Sequence, residues 1–462
     1  MKSILPADRI MAKMRSRGLN PLIMNHFLSM VEQVLEEKSD YVPMDELSAP
    51  GKELIIDSLS REDMTELDEA GRQLLGKVAV IKLNGGRATT MGGRVPKGVL
   101  IAKNGLSYLE IILAQVEAIR ARSGVNVPLV LMNSFFTHHP TMKIVGRHSN
   151  PPLTFIQNQV PRLLGDTFAP LETGTDDDWA PPGHGDVYLS LKTSGLLDDL
   201  ISRGFRWAFV SNLDNLAACV EPWILGLLES EEIDFLLEVT DRTEADRKGG
   251  TLVIRNGHLD LLEIGQVSPN DTEAFMDMRR FRVFNTNNMW VNLLALADAL
   301  DNNSLKLPII RNRKNILGHK IIQLETAMGA AVGAFSRARG LRVGRDRFFP
   351  TKKTSDLFAL QSDATILDSM ARLRKNPRRP DLLPLRPKVF FSSNFVDSPD
   401  DLYQRFEDSC SVSLLFANSF EVYGSAFFER DVRIRGKVEI NVPEGKTWKI
   451  PRGAVLSEGR YP

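Results

Sequence analysis

Apolar residues recur along this chain in two rhythms. Met24, Phe27, Leu28 and Val31, then Val34 and Leu35, fall three and four residues apart on one face, which predicts helix. A polar, acidic stretch to Gly71 follows, so residues 1–70 read as a helical N-terminal extension with no chemistry of its own. From Lys77 the rhythm changes. Val78-Ala-Val-Ile-Lys-Leu83 is a short β-rich run stopped by Asn84-Gly85-Gly86, and a glycine-rich loop runs on to about Lys97. Ser107 with Glu110 marks a capping box, and Leu109, Ile112, Leu113, Val116 and Ile119 form the buried stripe of the helix it opens. Pro128 to Met132 is the next strand. Strand, loop, helix and strand make the βαβ unit of a parallel sheet.

The alternation continues through Trp207–Val210, with Ser211–Asn215 as its loop, and Phe235–Val239. Thr251–Arg255 and His258–Ile264 flank Asn256-Gly257, a hairpin signal. Gln323 to about Arg339 reads as a helix of small residues (Ala327, Gly329, Ala330, Ala331, Gly333). Residues 375–388 form a Pro/Arg-rich linker, and short strands such as Val432–Arg435 and Val438–Asn441 lie beyond it. The pattern predicts an α/β protein in three parts. These are the extension (1–70), a main domain on a Rossmann-like mixed or parallel sheet (71–375), and a small C-terminal β domain, β-helix-like (384–462).

Charge narrows the choice. Lys plus Arg and Asp plus Glu number 58 each, which argues against a nucleic-acid coat or a polybasic membrane anchor. No apolar run approaches the ~20 residues of a membrane span, and the N-terminus lacks the apolar core of a signal peptide. Two cysteines, Cys219 and Cys410, cannot make a disulfide framework. A cytoplasmic location is expected.

Two features suggest chemistry. In Leu83-Asn-Gly-Gly-Arg-Ala-Thr-Thr-Met-Gly-Gly-Arg-Val-Pro-Lys97, paired glycines after a buried strand let backbone N–H groups approach an anion. Thr89 and Thr90 add hydroxyls, and Lys97 adds a point charge suited to phosphate. Ser211-Asn-Leu-Asp214 follows a strand and so falls at the carboxyl edge of the sheet, where α/β sites lie. A P-loop-like spacing from Gly71 to Lys77 is rejected, because Val78 replaces the required Ser/Thr and the segment precedes its strand.

These segments resemble the eukaryotic-type UTP–glucose-1-phosphate uridylyltransferases (UDP-glucose pyrophosphorylases). The glycine loop is similar to that family's nucleotide loop. Leu131–Ser134, Phe155–Gln157 with Pro161-Arg162, and Pro181-Pro-Gly-His-Gly-Asp186 follow in the family's order. So do Val210–Asn215, Lys248-Gly-Gly-Thr-Leu252, Phe284-Asn-Thr-Asn-Asn288, Gln323-Leu-Glu-Thr-Ala327 and Pro350-Thr-Lys-Lys-Thr-Ser-Asp-Leu357. The match spans roughly residues 75–360.

The resemblance implies uridylyl transfer from UTP to glucose 1-phosphate, with Mg²⁺ as cofactor and Asp214 as its ligand. It implies Lys352 and Lys97 as catalytic cations. Leu83, Asn84, Gly85, Gly86, Gln157, Gly183, Asn212 and Asp214 would join both lysines around the nucleotide, and His184, Gly250, Glu263, Asn285 and Asn287 would hold the sugar phosphate. Small-molecule substrates are implied, with no nucleic acid or membrane partner. A monomer, or a small homo-oligomer assembled through the C-terminal β domain, is expected. Two alternatives stay open: a UDP-sugar pyrophosphorylase of other or broader sugar range, and a non-catalytic binder of the same fold. Arg87-Ala88, where the family has Leu-Gly, is the main departure from its pattern.

Overall fold

The computed structural model describes residues 6–36, 41–57, 59–86, 91 and 95–462. Arg87, Ala88, Thr89 and Thr90 lie outside the described residues, as do Gly92, Gly93 and Arg94.

Eight strands form the central sheet: β1 (Ile55–Ile56), β2 (Val78–Asn84), β3 (Leu129–Asn133), β4 (Leu153–Ile156), β5 (Trp207–Asn212), β6 (Phe235–Asp241), β7 (Val283–Asn292) and β8 (Ala338–Arg342). Their order is β1-β8-β6-β7-β5-β2-β3-β4, and only β7 runs antiparallel to its neighbours. Every residue of β2, β3 and β6 but Asp241 is buried. Strands covered on both faces read as unbroken apolar runs, which is why they stood out in the sequence. The helix Tyr108–Ser123 packs on one face, and Ser107 closes the expected capping box with Glu110.

The N-terminal extension is not wholly helical. The helices α1 (Pro6–Ser16) and α2 (Pro21–Glu36) are present. However, β1 joins the central sheet, and Leu47-Ser48 pairs with the hairpin Thr251–Arg255/His258–Leu262. Two-residue strands have no period to read. Met24, Phe27, Val31 and Val34 are buried as expected, whereas Leu35 is 54% exposed. At the hairpin turn Asn256 and Gly257 have φ of 52° and 78°, the two left-handed residues of a type I′ turn. Gly71 sits inside the helix Arg61–Leu74, where a Cβ would strike the Pro222 carbonyl. It is a helix-packing glycine, in line with the rejected P-loop.

Two further readings are corrected. Gln323 to Arg339 is not a helix: His319–Thr326 is a strand, Met328–Ala334 a 3₁₀ turn and Ala338–Arg342 is β8. The Ala/Gly run suited close packing, but against the strand His258–Leu262 and Asn285. Residues 375–388 are not a loose linker, since Arg379 is 2% exposed and donates to four carbonyls. Beyond them the strands Lys388–Phe391, Ser413–Tyr423, Arg433–Asn441 and Val455-Leu456 pair in parallel, and a short helix, Pro399–Arg405, interrupts them.

Candidate active site

At the carboxyl ends of β2, β3, β4 and β5 lies a cleft of about 320 Å³. Its near wall is the sheet edge with Leu83, Asn84, Gly85, Gly86, Gln157, Asn212 and Asp214. Its far wall is Gly183-His184 and the strand His319–Thr326. That strand pairs antiparallel with Ile309–Ile316 and Leu163-Leu164 in a separate small sheet.

The near wall follows from β2 and β5 ending side by side in parallel register, Asn212 opposite Leu83. Ser211 and Asn212 still belong to β5, and the turn expected there begins only at Leu213, with Asp214 in it. Asn84 is 2% exposed, and its amide donates to Asn133 Oδ1 and Thr141 Oγ1, both at 2.7 Å. Its side-chain donors are therefore used within the protein, to pin the start of the loop. A Cβ on Gly86 would meet nothing within 4 Å, while one on Gly85 would press on Gln157 Oε1 at 3.0 Å. The Lys97 N–H returns to Gly86 O at 3.3 Å, closing the loop so that Lys97 Nζ meets Asp214 Oδ2 at 2.6 Å. Both side chains are largely buried (16% and 13% exposed), so the pair sits in the cleft wall.

The far wall depends on glycine. Gly183 has φ 84°, and a Cβ there would overlap the Thr326 backbone. Gln157 Nε2 donates to Gly183 O at 2.7 Å, linking the two walls. His184 Nδ1 accepts the Met328 N–H at 2.9 Å, so the ring proton belongs on Nε2. Burial lowers this imidazole to about 4, which keeps it neutral and a donor near pH 7. Gln323 and Glu325 also line the cleft, and neither was assigned a role from sequence. They are two residues apart on one strand and so share a face. The alternation Gln-Leu-Glu-Thr was the available signal, hidden by the alanines that follow.

A second group adjoins the cleft. β7 is bulged against β6: Val239 pairs with Asn285 and Glu238 with Asn288, leaving Thr286 and Asn287 over. Asn287 takes φ 57°, a conformation Asn tolerates, and exchanges hydrogen bonds with Asn285 at 2.9 Å. Glu263 bonds Asn285. Burial pushes its carboxyl above the usual range, against the pull of Lys352 and Asn285. A side chain on Gly250 would overlap Glu263. Lys352 is exposed and follows Thr351, whose Oγ1 donates to Asp214 O at 3.4 Å. The segments 214–215 with 350–352, and 326–329, thus join the two groups. All the expected site residues line the cleft or belong to this adjoining group.

Behind the site, Asn215 Nδ2 donates to Asn288 Oδ1 and Arg347 O. Arg347 is paired through two nitrogens with Glu238, which is fully buried and also accepts from Trp290 Nε1. Removing one partner of such a pair strands a buried charge, so this network holds the Asp214 turn rigidly.

Sheet and cleft together define an α/β protein with a ligand cleft at the carboxyl ends of its parallel strands. The profile of the UTP–glucose-1-phosphate uridylyltransferase family matches residues 24–435. The chain is 40% identical to the UTP–glucose-1-phosphate uridylyltransferase of Solanum tuberosum, over 95% of this chain and 93% of that one. It is 41% identical to that of Hordeum vulgare, over 93% and 91%. Among solved structures it superposes on the UDP-glucose pyrophosphorylase of Leishmania major with a TM-score of 0.88 at 32% identity, covering 100% of this chain and 99% of that one. A UDP-glucose complex of the Leishmania major enzyme gives 0.86 at 31%, covering 98% of each chain. The chain belongs to the UTP–glucose-1-phosphate uridylyltransferase family.

Proposed function

We propose that the cleft transfers the uridylyl group of UTP to glucose 1-phosphate, forming UDP-glucose and pyrophosphate. One observation carries the reading: the Lys97–Asp214 pair stands in a glycine-lined cleft that adjoins the Glu263–Asn285–Asn287 group. Gly85, Gly86 and Gly183 let the backbone approach the nucleotide, with Leu83, Gln157 and Asn212 beside it. Glu263, Asn285, Asn287 and the Gly250 backbone offer acceptors and donors for vicinal hydroxyls. His184 Nε2–H donates to a sugar or phosphate oxygen.

In the reaction, a phosphate oxygen of the sugar ester bonds to the α-phosphorus. The bond from that phosphorus to the bridging oxygen breaks, and pyrophosphate leaves with the electron pair. A phosphate monoester is already about doubly ionised at pH 7, its second pKa being ~6, so no general base is needed. The protein supplies alignment and charge neutralisation, and in this reading the cations are Lys97 and Lys352. Among the described residues no cluster of three metal-binding side chains exists. Asp214 in the cleft wall would hold Mg²⁺, which commonly takes one or two carboxylates plus substrate phosphates, and the ion would add charge neutralisation there.

A pyrophosphate-release assay across UTP, other nucleotides and several hexose 1-phosphates tests this. UTP with glucose 1-phosphate should be fastest. Comparable rates with galactose 1-phosphate would widen the sugar range, and no UDP-sugar from any pair would leave a binder without activity.

A further inference from the structure

The bridge between the catalytic body and the C-terminal strands is anchored in both directions. Arg379 grips the C-terminal side through the Leu414, Leu415 and Ala417 carbonyls. Arg386 faces the other way. Its Nη1 donates to Pro350 O at 3.0 Å, its guanidinium lies 5.2 Å from the Phe349 ring centroid, and its Nη2 is ion-paired with Asp356. Asp356 Oδ2 in turn accepts the backbone N–H groups of Lys352 and Lys353, each at 2.8 Å. One guanidinium therefore holds both ends of the turn that carries Lys352. The other side of that turn is tied to the Asp214 loop, through Phe349 N–H to Asn215 Oδ1 at 2.9 Å and through Thr351 to Asp214 O.

We propose that Arg386 is a positioning residue for Lys352, acting from the bridge through Asp356 and the Pro350 carbonyl. The inference rests on the reading of Lys352 given above. A lysine ammonium on a flexible stem is delivered to one point only if its backbone is fixed. A planar guanidinium can hold a carboxylate and a carbonyl at once, where an ammonium is a single point charge. Burial lowers the Arg386 guanidinium to about 10, so it remains a cation at neutral pH.

The test uses the intact chain with Arg386→Gln, Arg386→Lys, Asp356→Asn and Lys352→Ala. Arg378→Gln, exposed in the same bridge, is the control and should leave every readout unchanged. Steady-state rates, UDP-glucose affinity and Tm are measured together. Arg386→Gln should lower kcat about ten- to hundredfold, the scale of a small misplacement, with both KM values and the UDP-glucose Kd within about threefold. Arg386→Lys should fall between it and the wild type. The Arg386→Gln/Asp356→Asn double variant should be no slower than the worse single one, because both act on one element. A wild-type rate in Arg386→Gln, or a loss that merely follows lower Tm or weaker UDP-glucose binding, overturns the inference. If Arg386→Gln does not fold, Arg386→Lys carries the same comparison. A wild-type rate in Lys352→Ala overturns instead the reading on which the inference stands.

Discussion

At residue scale, the cleft depends on a few atoms with little latitude. Lys97→Ala and Asp214→Ala should each lower turnover at least ~100-fold, the scale of losing one preorganised charge contact, as read in the pyrophosphate-release assay. Gly183→Ala should cost more than about 1 kcal/mol in denaturant unfolding, because a φ of 84° strains any Cβ and this one would also displace Thr326. Asp186, beneath His184, is pushed up to about 6 by burial, although Asn158 and Ser190 donate to it. Its folded pKa lies above the ordinary 3.8, so the native state holds the extra proton. Stability should then fall as pH rises from 4 through 6, by roughly 2 kcal/mol. Asp186→Asn should flatten that part of the pH–stability curve, and an unchanged slope would exclude Asp186 as its source.

At the scale of elements, α1 shows which ion pairs matter. Arg9, Lys13 and Arg17 lie one turn apart and meet Glu172, Asp178 and Asp176. Only the Lys13–Asp178 pair is buried, at 2.7 Å, and Lys13 also donates to Leu171 O. Lys13→Ala should therefore destabilise by about 1–3 kcal/mol, because Asp178 loses its cation and keeps only the Thr173 and Gly174 donors, whereas Arg9→Ala should cost under about 1 kcal/mol. Urea titrations of both variants separate the two.

How well an element could be read from sequence followed how locally it is determined. The Ser107 helix start and the Asn256-Gly257 turn need only their own residues. β2, β3 and β5 declare themselves as short apolar runs. The strand 319–326 did not, because the small residues beyond it promised a helix, where packing against Leu261 and Asn285 accompanies a 3₁₀ turn instead. The β7 bulge was visible only as a polar motif, since an extra pair of residues is defined by the opposite strand.

At the scale of the molecule, the expected site residues lie together although they are scattered from Leu83 to Lys352. No local pattern signals the Lys97–Asp214 pair, whose members are 117 residues apart. Parallel strand order brings them together, and the resemblance to family blocks stood in for that topology. No described helix is long and apolar enough to cross a membrane. With a formal net charge of zero and a pI near 7.1, self-association should be greatest near pH 7 at low ionic strength. Light scattering that shows no maximum there would contradict this.

The apolar face of α1 and α2 shares one buried cluster with Val160, Leu163 and Trp179, and with Ile322 and Leu324 from the back of the cleft's far wall. During synthesis these helices precede the strand that covers them by almost 300 residues, and that cluster closes only after Leu324 has been made. At roughly 5–20 residues per second, they spend tens of seconds with greasy surface uncovered. The cleft's far wall is thus complete only when the N-terminal helices close on the back of a strand made much later.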